Sequence, residues 1–426
     1  MRAAIGSGRE GGSPGRLFRV GISCLALVAA TAVFQTGPAR AADYAAGGGL
    51  INAPSGHATA VGDTATTTGV DATAYGNSSS ANGEAAVAVG SLSTAIGSAA
   101  IALGGHASAN GASATVVGTN STAIGTNATA IGQGNSATGN SATAIGQSSI
   151  ANGEFATTTG QVAVAQGQFT TATGASSSAV GTAASAFGYD SAASGTGATA
   201  IGTRSVANGD SATALGNDSR ANGETATSIG TSSRATGINT TALGVASTAV
   251  VDGATAIGAN AGVAGVNGTA IGTGANAAAA NSVAIGANSV ATQANTVSFG
   301  TAGNERRLTN VAAGINPTDA VNMSQLTGLT AGFQSQLSGL QAEVTANQRE
   351  ARAGTALALA ATGLQYDHRP GKASISGAVA NYKGQSSLAV GFGYAVSDRW
   401  RVNAAVTSAP QVGDFGAVAG ASFTLN

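Results

Sequence analysis

The chain has 426 residues, of which 8% are charged and 4% aromatic, and its net charge is −1. No stretch carries the mix of large apolar residues that an ordinary globular core needs, so order must come from repetition or from association. The near-neutral total hides an acidic middle: between Asp43 and Gly303 there are ten Asp/Glu, three Arg (Arg204, Arg220, Arg234) and no Lys, a net of −7, which makes nucleic acid a poor partner.

Taken in chain order, residues 1–42 read as an export signal. Arg2, Arg9, Arg16 and Arg19 precede the apolar run 21–34, and Ala39-Arg40-Ala41 supplies small residues for cleavage near Ala41 or Ala42. The only cysteine, Cys24, lies inside that signal, so the mature chain is expected to carry no thiol and no disulfide. No 20-residue apolar helix follows that could span a bilayer.

Residues 43–303 form the second predicted element. Glycine recurs every seventh residue from Gly62 to Gly300, 35 positions with three exceptions, Val251, Ala279 and Gln293. Units such as Ala128-Thr129-Ala130-Ile131-Gly132 alternate with period 2 and leave room for a short strand and a turn, not a helix. Strong and weak half-units alternate, so the coil is expected to have 14 residues and two short parallel strands. Seventeen such coils at ~4.8 Å each would make a rod about 80 Å long. The large residue beside each glycine is read as core, as are Val283 and Ile285. The recurrent Thr three steps before glycine is also expected to face inward. The Asn of repeated Ala-Asn-Gly units, such as Asn82 and Asn110, is expected at left-handed corners. A thin solenoid buries little area, so several rolls side by side are expected.

After Gly300 the clock stops. Asn304-Glu305-Arg306-Arg307-Leu308-Thr309-Asn310-Val311-Ala312-Ala313-Gly314 leads to Thr318-Asp319-Ala320-Val321-Asn322-Met323-Ser324-Gln325-Leu326. This run, 304–326, resembles the neck of YadA-like trimeric autotransporter adhesins. The resemblance implies a left-handed parallel β-roll for the head, a neck, and a trimeric coiled-coil stalk.

A heptad register fits 327–353 and the residues just before it. Met323, Thr330, Leu337, Val344 and Ala351 occupy a, and Leu326, Phe333, Leu340, Asn347 and Gly354 occupy d. Asn347 is expected to set register and oligomer state; the resemblance adds the possibility of an anion on the three-fold axis.

Residues 354–426 are the last predicted element. Four alternating segments, 372–382, 385–396, 400–409 and 411–425, are joined by polar turns, as in an outer-membrane barrel. Four strands cannot close in lipid. The resemblance implies that three chains supply twelve strands, with the Ala-rich 354–363 as a helix inside the barrel and the barrel-assembly machinery as a partner. Family anchors end on an aromatic residue; this chain ends Phe423-Thr424-Leu425-Asn426.

For function, the resemblance implies a homotrimer anchored in the outer membrane. Its head would attach to host matrix or cells (collagen, fibronectin, laminin) or to identical heads. Asn281, Ser282, Val283, Ala284, Ile285, Gly286 and Ser289 match a pattern associated with collagen binding in such heads. Asn281, Ser282, Gly286 and Ser289 are therefore the candidate ligand residues, weighed against a role as turn caps. A structural spacer, or a solenoid binding ice or another abiotic surface through its threonines, is the alternative. The three scattered histidines and the absence of a persuasive carboxylate pair argue against an enzyme. No cofactor or metal is expected, since the acidic residues are too sparse for calcium-binding repeats.

Overall fold

From Gly62 to Gly272, each glycine of the seven-residue clock stands where one coil rides directly on the next. A Cβ on Gly62 would lie 2.6 Å from the Gly76 carbonyl oxygen, and one on Gly69 would overlap the Gly83 carbonyl. The glycines fall into two classes one half-coil apart. Gly62 and its 14-residue relatives, through Gly286, follow the longer strand and sit at positive φ (Gly132, +117°), where an L side chain is strained. The class of Gly69 lacks positive φ. Val251, Ala279 and Gln293 all belong to that second class, so every exception lies where the backbone dihedral does not itself demand glycine, although a Cβ on the remaining glycines of that class would meet the next coil's carbonyl.

The computed structural model describes residues 43–53 and 57–425; the expected export signal, 1–42, lies outside the described residues. The described chain divides into two units, one ending at Arg306 and the other running from Arg307.

The first unit is a parallel solenoid with two ladders. One stacks mainly three-residue strands, as in Thr115–Val117, Thr129–Ile131 and Thr143–Ile145; the other stacks two-residue strands such as Thr122–Ala123 and Ser136–Ala137. There are nineteen strands in the first ladder and eighteen in the second, one turn more than the glycine count gave. The extra turn is 44–51, where Tyr44 pairs with Thr59 and Leu50 with Thr66, offsets of fifteen and sixteen that break the 14-residue period. At ~4.8 Å per rung the head is about 85 Å long.

The facing of the strands is opposite to the sequence expectation. In Thr129–Ile131 the middle residue, Ala130, is fully buried, while Thr129 is half-buried and Ile131 exposed. Ala284 is likewise buried and Val283 and Ile285 are not. The interior holds Ala, Ser and Thr almost exclusively, with Val116 the largest fully buried side chain. Two sheets this close have no space for Ile between them. Alanines contribute little hydrophobic free energy each, so backbone rungs such as Thr129 N–H to Ala142 O, 2.8 Å, are the main tie between coils.

The corners also differ from expectation. Asn82 and Asn110 are not left-handed; the left-handed residue lies two places after each glycine and accepts many types, including Phe155 and Val162 (φ +56° and +57°). Serines before the short strands cap the preceding glycine carbonyl, as in Ser93 Oγ to Gly90 O, 2.9 Å. Asn135 is the buried exception. Its Nδ2 donates to Ile131 O and Gly146 O, and its Oδ1 accepts from the Ser149 N–H and Oγ–H.

The second unit starts with the neck segment and a helix, Met323–Thr362. Asn322 caps it: its side chain accepts from Gln325 N–H at 3.1 Å, and the Gln325 side chain accepts from Asn322 N–H at 3.2 Å. The same two side chains hold the preceding loop, since Gln325 pairs with both the N–H and the C=O of Gly314 and Asn322 donates to Val311 O. Asp319 closes the loop by accepting from the backbone N–H groups of Ile315 and Asn316, each 2.9 Å. Those bonds lower its pKa below the ordinary carboxylate value. A lowered folded pKa gives stability that is present above the unfolded carboxyl value and is lost as pH falls through the folded one. The Ile315 and Asn316 amide resonances should therefore shift together at a pH below the titration of a free Asp, about 4. An Asp319→Asn chain should lack that transition.

The helix runs on without a break into the last domain. Ala353, Ala356 and Ala360, on one helix face, are buried against a four-stranded antiparallel sheet. Its strands, Ala373–Tyr382, Gln385–Ala395, Trp400–Ala409 and Asp414–Phe423, begin and end close to the segments read from the sequence. Lys383 and Gly384, both at positive φ, make the first turn. Small residues (Ser387, Ala389, Gly391, Gly393) face the helix and the segment that follows it, and Leu388, Val390, Phe392 and Tyr394 face away and are exposed. No helix among the described residues is long and apolar enough to cross a membrane, which says nothing of crossing by strands.

Candidate functional site

The four candidate ligand residues lie in the last complete coil and differ in what they can reach. Ser282 and Ser289 are 0% exposed. Ser282 Oγ donates to Ala279 O at 2.7 Å, and Ser289 Oγ donates to Ile285 O at 2.6 Å. Asn281 is exposed at a left-handed corner and forms an amide ladder with Asn267 and Asn295 at 3.3 and 3.2 Å. Gly286 is the coil-contact glycine of this turn, with φ +105°.

Here a residue without a role in the sequence reading becomes prominent. Arg306 Nη1 donates to Ser289 Oγ at 2.8 Å and to Phe299 O at 2.7 Å, and Nη2 donates to Ala287 O. A Cβ on Gly286 would lie 3.0 Å from the guanidinium carbon. The arginine thus occupies the place over Gly286 that the next coil fills elsewhere, and it satisfies carbonyls that an open end would leave unpaired. The signal for it in the sequence was an arginine standing directly after the glycine clock stops. Arg306→Ala should lower the stability of the last coil by about 1–2 kcal/mol. Hydrogen exchange should show faster opening at 283–299 and no change near Gly132.

The outward positions of the head form two unlike faces. The three-residue ladder carries a Thr column and, beside it, an apolar column that includes Val117, Ile131, Ile145, Ile201, Leu215 and Leu243, each 37–41% exposed. The recurrent threonines therefore face outward, contrary to expectation, because they share strand parity with the isoleucines. The two-residue ladder carries mainly Ser, Thr and Asn, with side-chain ladders such as Asn208 Nδ2 to Asn222 Oδ1, 3.2 Å.

In the helix, Met323, Leu326, Phe333, Leu337 and Leu340 are 49–72% exposed on the single chain. Asn347 is exposed too. In the last domain, the segment after the helix lies against the same buried face of the sheet as the helix. The Tyr366 ring lies against Gly391 and Gly393, where side chains would collide with it. Tyr366, Gly391 and Gly393 had no role in the sequence reading, because nothing local marks a glycine that makes room for a distant ring.

Comparisons with known proteins fit this arrangement in order along the chain. The YadA head domain repeat matches at ten places between residues 55 and 302. The coiled stalk of trimeric autotransporter adhesin matches 307–349, and the YadA-like membrane anchor domain matches 365–425. The chain belongs to the family of YadA-like trimeric autotransporter adhesins. It is similar to the autotransporter adhesin BtaF of Brucella suis biovar 1 (strain 1330), 44% identical over 94 residues, 21% of this chain and 32% of that one. It is 32% identical over 142 residues to the autotransporter adhesin BtaE of the same strain, 28% of this chain and 19% of that one. To the autotransporter adhesin NhhA of Neisseria meningitidis serogroup B (strain ATCC BAA-335 / MC58) it is 30% identical over 119 residues, again 28% and 19%. The chain thus spans about a third or less of the length of these curated relatives. The crystal structure of the collagen-binding domain of the Yersinia adhesin YadA is 28% identical, covering 50% of this chain and 86% of that chain. The TM-score is 0.20, too low for the superposition to carry weight; the fold rests on the strand pairings themselves.

Proposed function

We propose that the chain is a homotrimeric adhesin of the cell surface, exported by its N-terminal signal and held in the outer membrane by its C-terminal domain. The observation that carries this reading is the four-stranded sheet. Ala373–Tyr382 and Asp414–Phe423 each pair on one side only, and the face turned away from the helix presents Ile375 and Val379 at 80% exposure. Such a sheet in lipid needs closed edges, and three copies would close a barrel of twelve strands with three helices inside. The exposed apolar column of the head and the exposed a and d residues of the helix support the same stoichiometry, since each needs a partner at the same height. In that assembly Asn347 lies in the helix seam as a register-setting residue. Domain bounds follow: signal 1–42, head 43–303, neck 304–326, stalk 327–353, anchor 354–426.

Attachment would be multivalent, with three identical heads per anchor and many anchors per cell turning weak contacts into firm adhesion. Extracellular matrix proteins such as collagen and identical heads on other cells are the ligand classes proposed. Within the collagen-like pattern, a contact would fall to Asn281, because Ser282 and Ser289 are buried. The test is a laboratory bacterium displaying the full chain beside one lacking 43–303, both confirmed as surface trimers. They are compared on collagen, fibronectin, laminin, bare plastic and each other. Adhesion of the full chain alone supports the reading; equal behaviour makes the head a spacer. The outward Thr column favours one second reading, an ice-binding face, which thermal hysteresis of the purified head would decide.

A further inference from the structure

The face of the two-residue ladder holds a pair of charges that nothing among the described residues balances. Its outward positions run from Thr66 to Val290 at the first strand residue and from Thr68 to Thr292 just past the strand. Arg220 and Arg234 are the only charged residues among them. They stand on adjacent rungs, directly paired in register, so two exposed guanidinium stems are about 4.8 Å apart. Like charges placed side by side on a sheet are unfavourable. The head's carboxylates, Asp210, Asp218 and Glu224 among them, are all off this face. Among the described residues none comes within ion-pair distance of either arginine; Asp218 is taken by Arg204 at 2.7 Å. Exposed Asn222 and Thr236 adjoin the pair.

We propose that Arg220 and Arg234 form a clamp for a carboxylate or sulfate group carried on an acidic polysaccharide. Two guanidinium forks one rung apart can share one oxyanion through charge-assisted hydrogen bonds. Ser, Thr and Asn hold just over half of the other outward positions, interspersed with apolar residues such as Ile96, Ile124, Val180 and Val250, and their hydroxyls and amides match the hydroxyls of neutral sugar units. An acidic head repels a densely charged polymer, so a chain with widely spaced anionic groups fits, and a nucleic acid does not. The inference rests on the adhesin reading, in which the opposite, apolar face is covered by neighbouring copies and this one stays open, three times per trimer.

The test uses cells displaying the full chain and fluorescent dextrans that are neutral, sparsely carboxymethylated or sparsely sulfated, at low and at high salt. Wild-type cells should retain an acidic dextran and not the neutral one, with loss at high salt. Arg220→Glu/Arg234→Glu should reduce retention at least tenfold, as expected for two charge-assisted contacts, and Arg204→Ala should not. Trimer content and surface display are measured on the same cells. Equal retention of neutral dextran, unchanged retention by the double variant, or preferential retention of single-stranded DNA would overturn the clamp. These outcomes are separable from failure of the adhesin reading, which appears as equal adhesion of full-chain and head-deleted cells.

Discussion

Replacing Gly202 by valine should split the head's thermal unfolding into two transitions. Gly202 has φ +126°, and a Cβ there would lie 2.5 Å from the Gly216 carbonyl oxygen and 2.7 Å from its carbon. Neither neighbour is a flexible side chain that can swing away. A β-branched residue is forced both into a region it rarely occupies and into the backbone of the next coil. The combined effect should be at least about 4 kcal/mol at that interface. In a solenoid each coil touches only its neighbours, so a broken interface uncouples the stack on its two sides. Calorimetry of the head should show two broadened transitions in place of one. Ala279→Gly, at a position of the other class, should stay within about 1 kcal/mol of the natural chain. A single unshifted transition for Gly202→Val would refute the steric account of the glycine clock.

Gly393→Val should have the second large effect, on the anchor. The added Cβ would stand 2.5 Å from Tyr366 Cδ1, 2.6 Å from Cγ and 2.9 Å from Cβ. The ring has no retreat on that side, so Tyr366 and the segment that leads from the helix to the first strand must move off the sheet. Overpacking of this kind costs about 1–3 kcal/mol per chain, and in the proposed trimer it is incurred three times. Cross-linked trimer and surface-exposed head should both fall several-fold. Adding Tyr366→Ala should restore part of the loss, since the two residues act through one contact. Equal loss in the double variant would mean that the glycine serves something other than the ring.

Much of this molecule is written as periodicity. The seven-residue glycine clock and the alternation beside it gave parallel coils with two strands each. The polar turns after Tyr382, Ala395 and Ala409 gave the four anchor strands. These features are legible because each depends on a local rule: strand parity, turn chemistry, and the lack of room for a Cβ between stacked backbones. Strand parity alone does not say which face is inside. Ile131 and Ala130 alternate either way, and hydrophobicity favoured the isoleucine as core. The distance between the two sheets reversed that choice, because only Ala, Ser and Thr fit across it.

The sequence by itself determined the solenoid, the helix and the anchor strands, since each follows from a local period: the glycine clock, the heptad and strand alternation. Only the tertiary structure decided where large side chains go. It turned the Ile column outward to a surface that needs a partner, and it brought Arg306 over Gly286 and Tyr366 onto Gly393 across separations of twenty and twenty-seven residues. The same stacking set Arg220 beside Arg234 on an otherwise uncharged face. These are meetings between distant parts of the chain, and no local pattern encodes them.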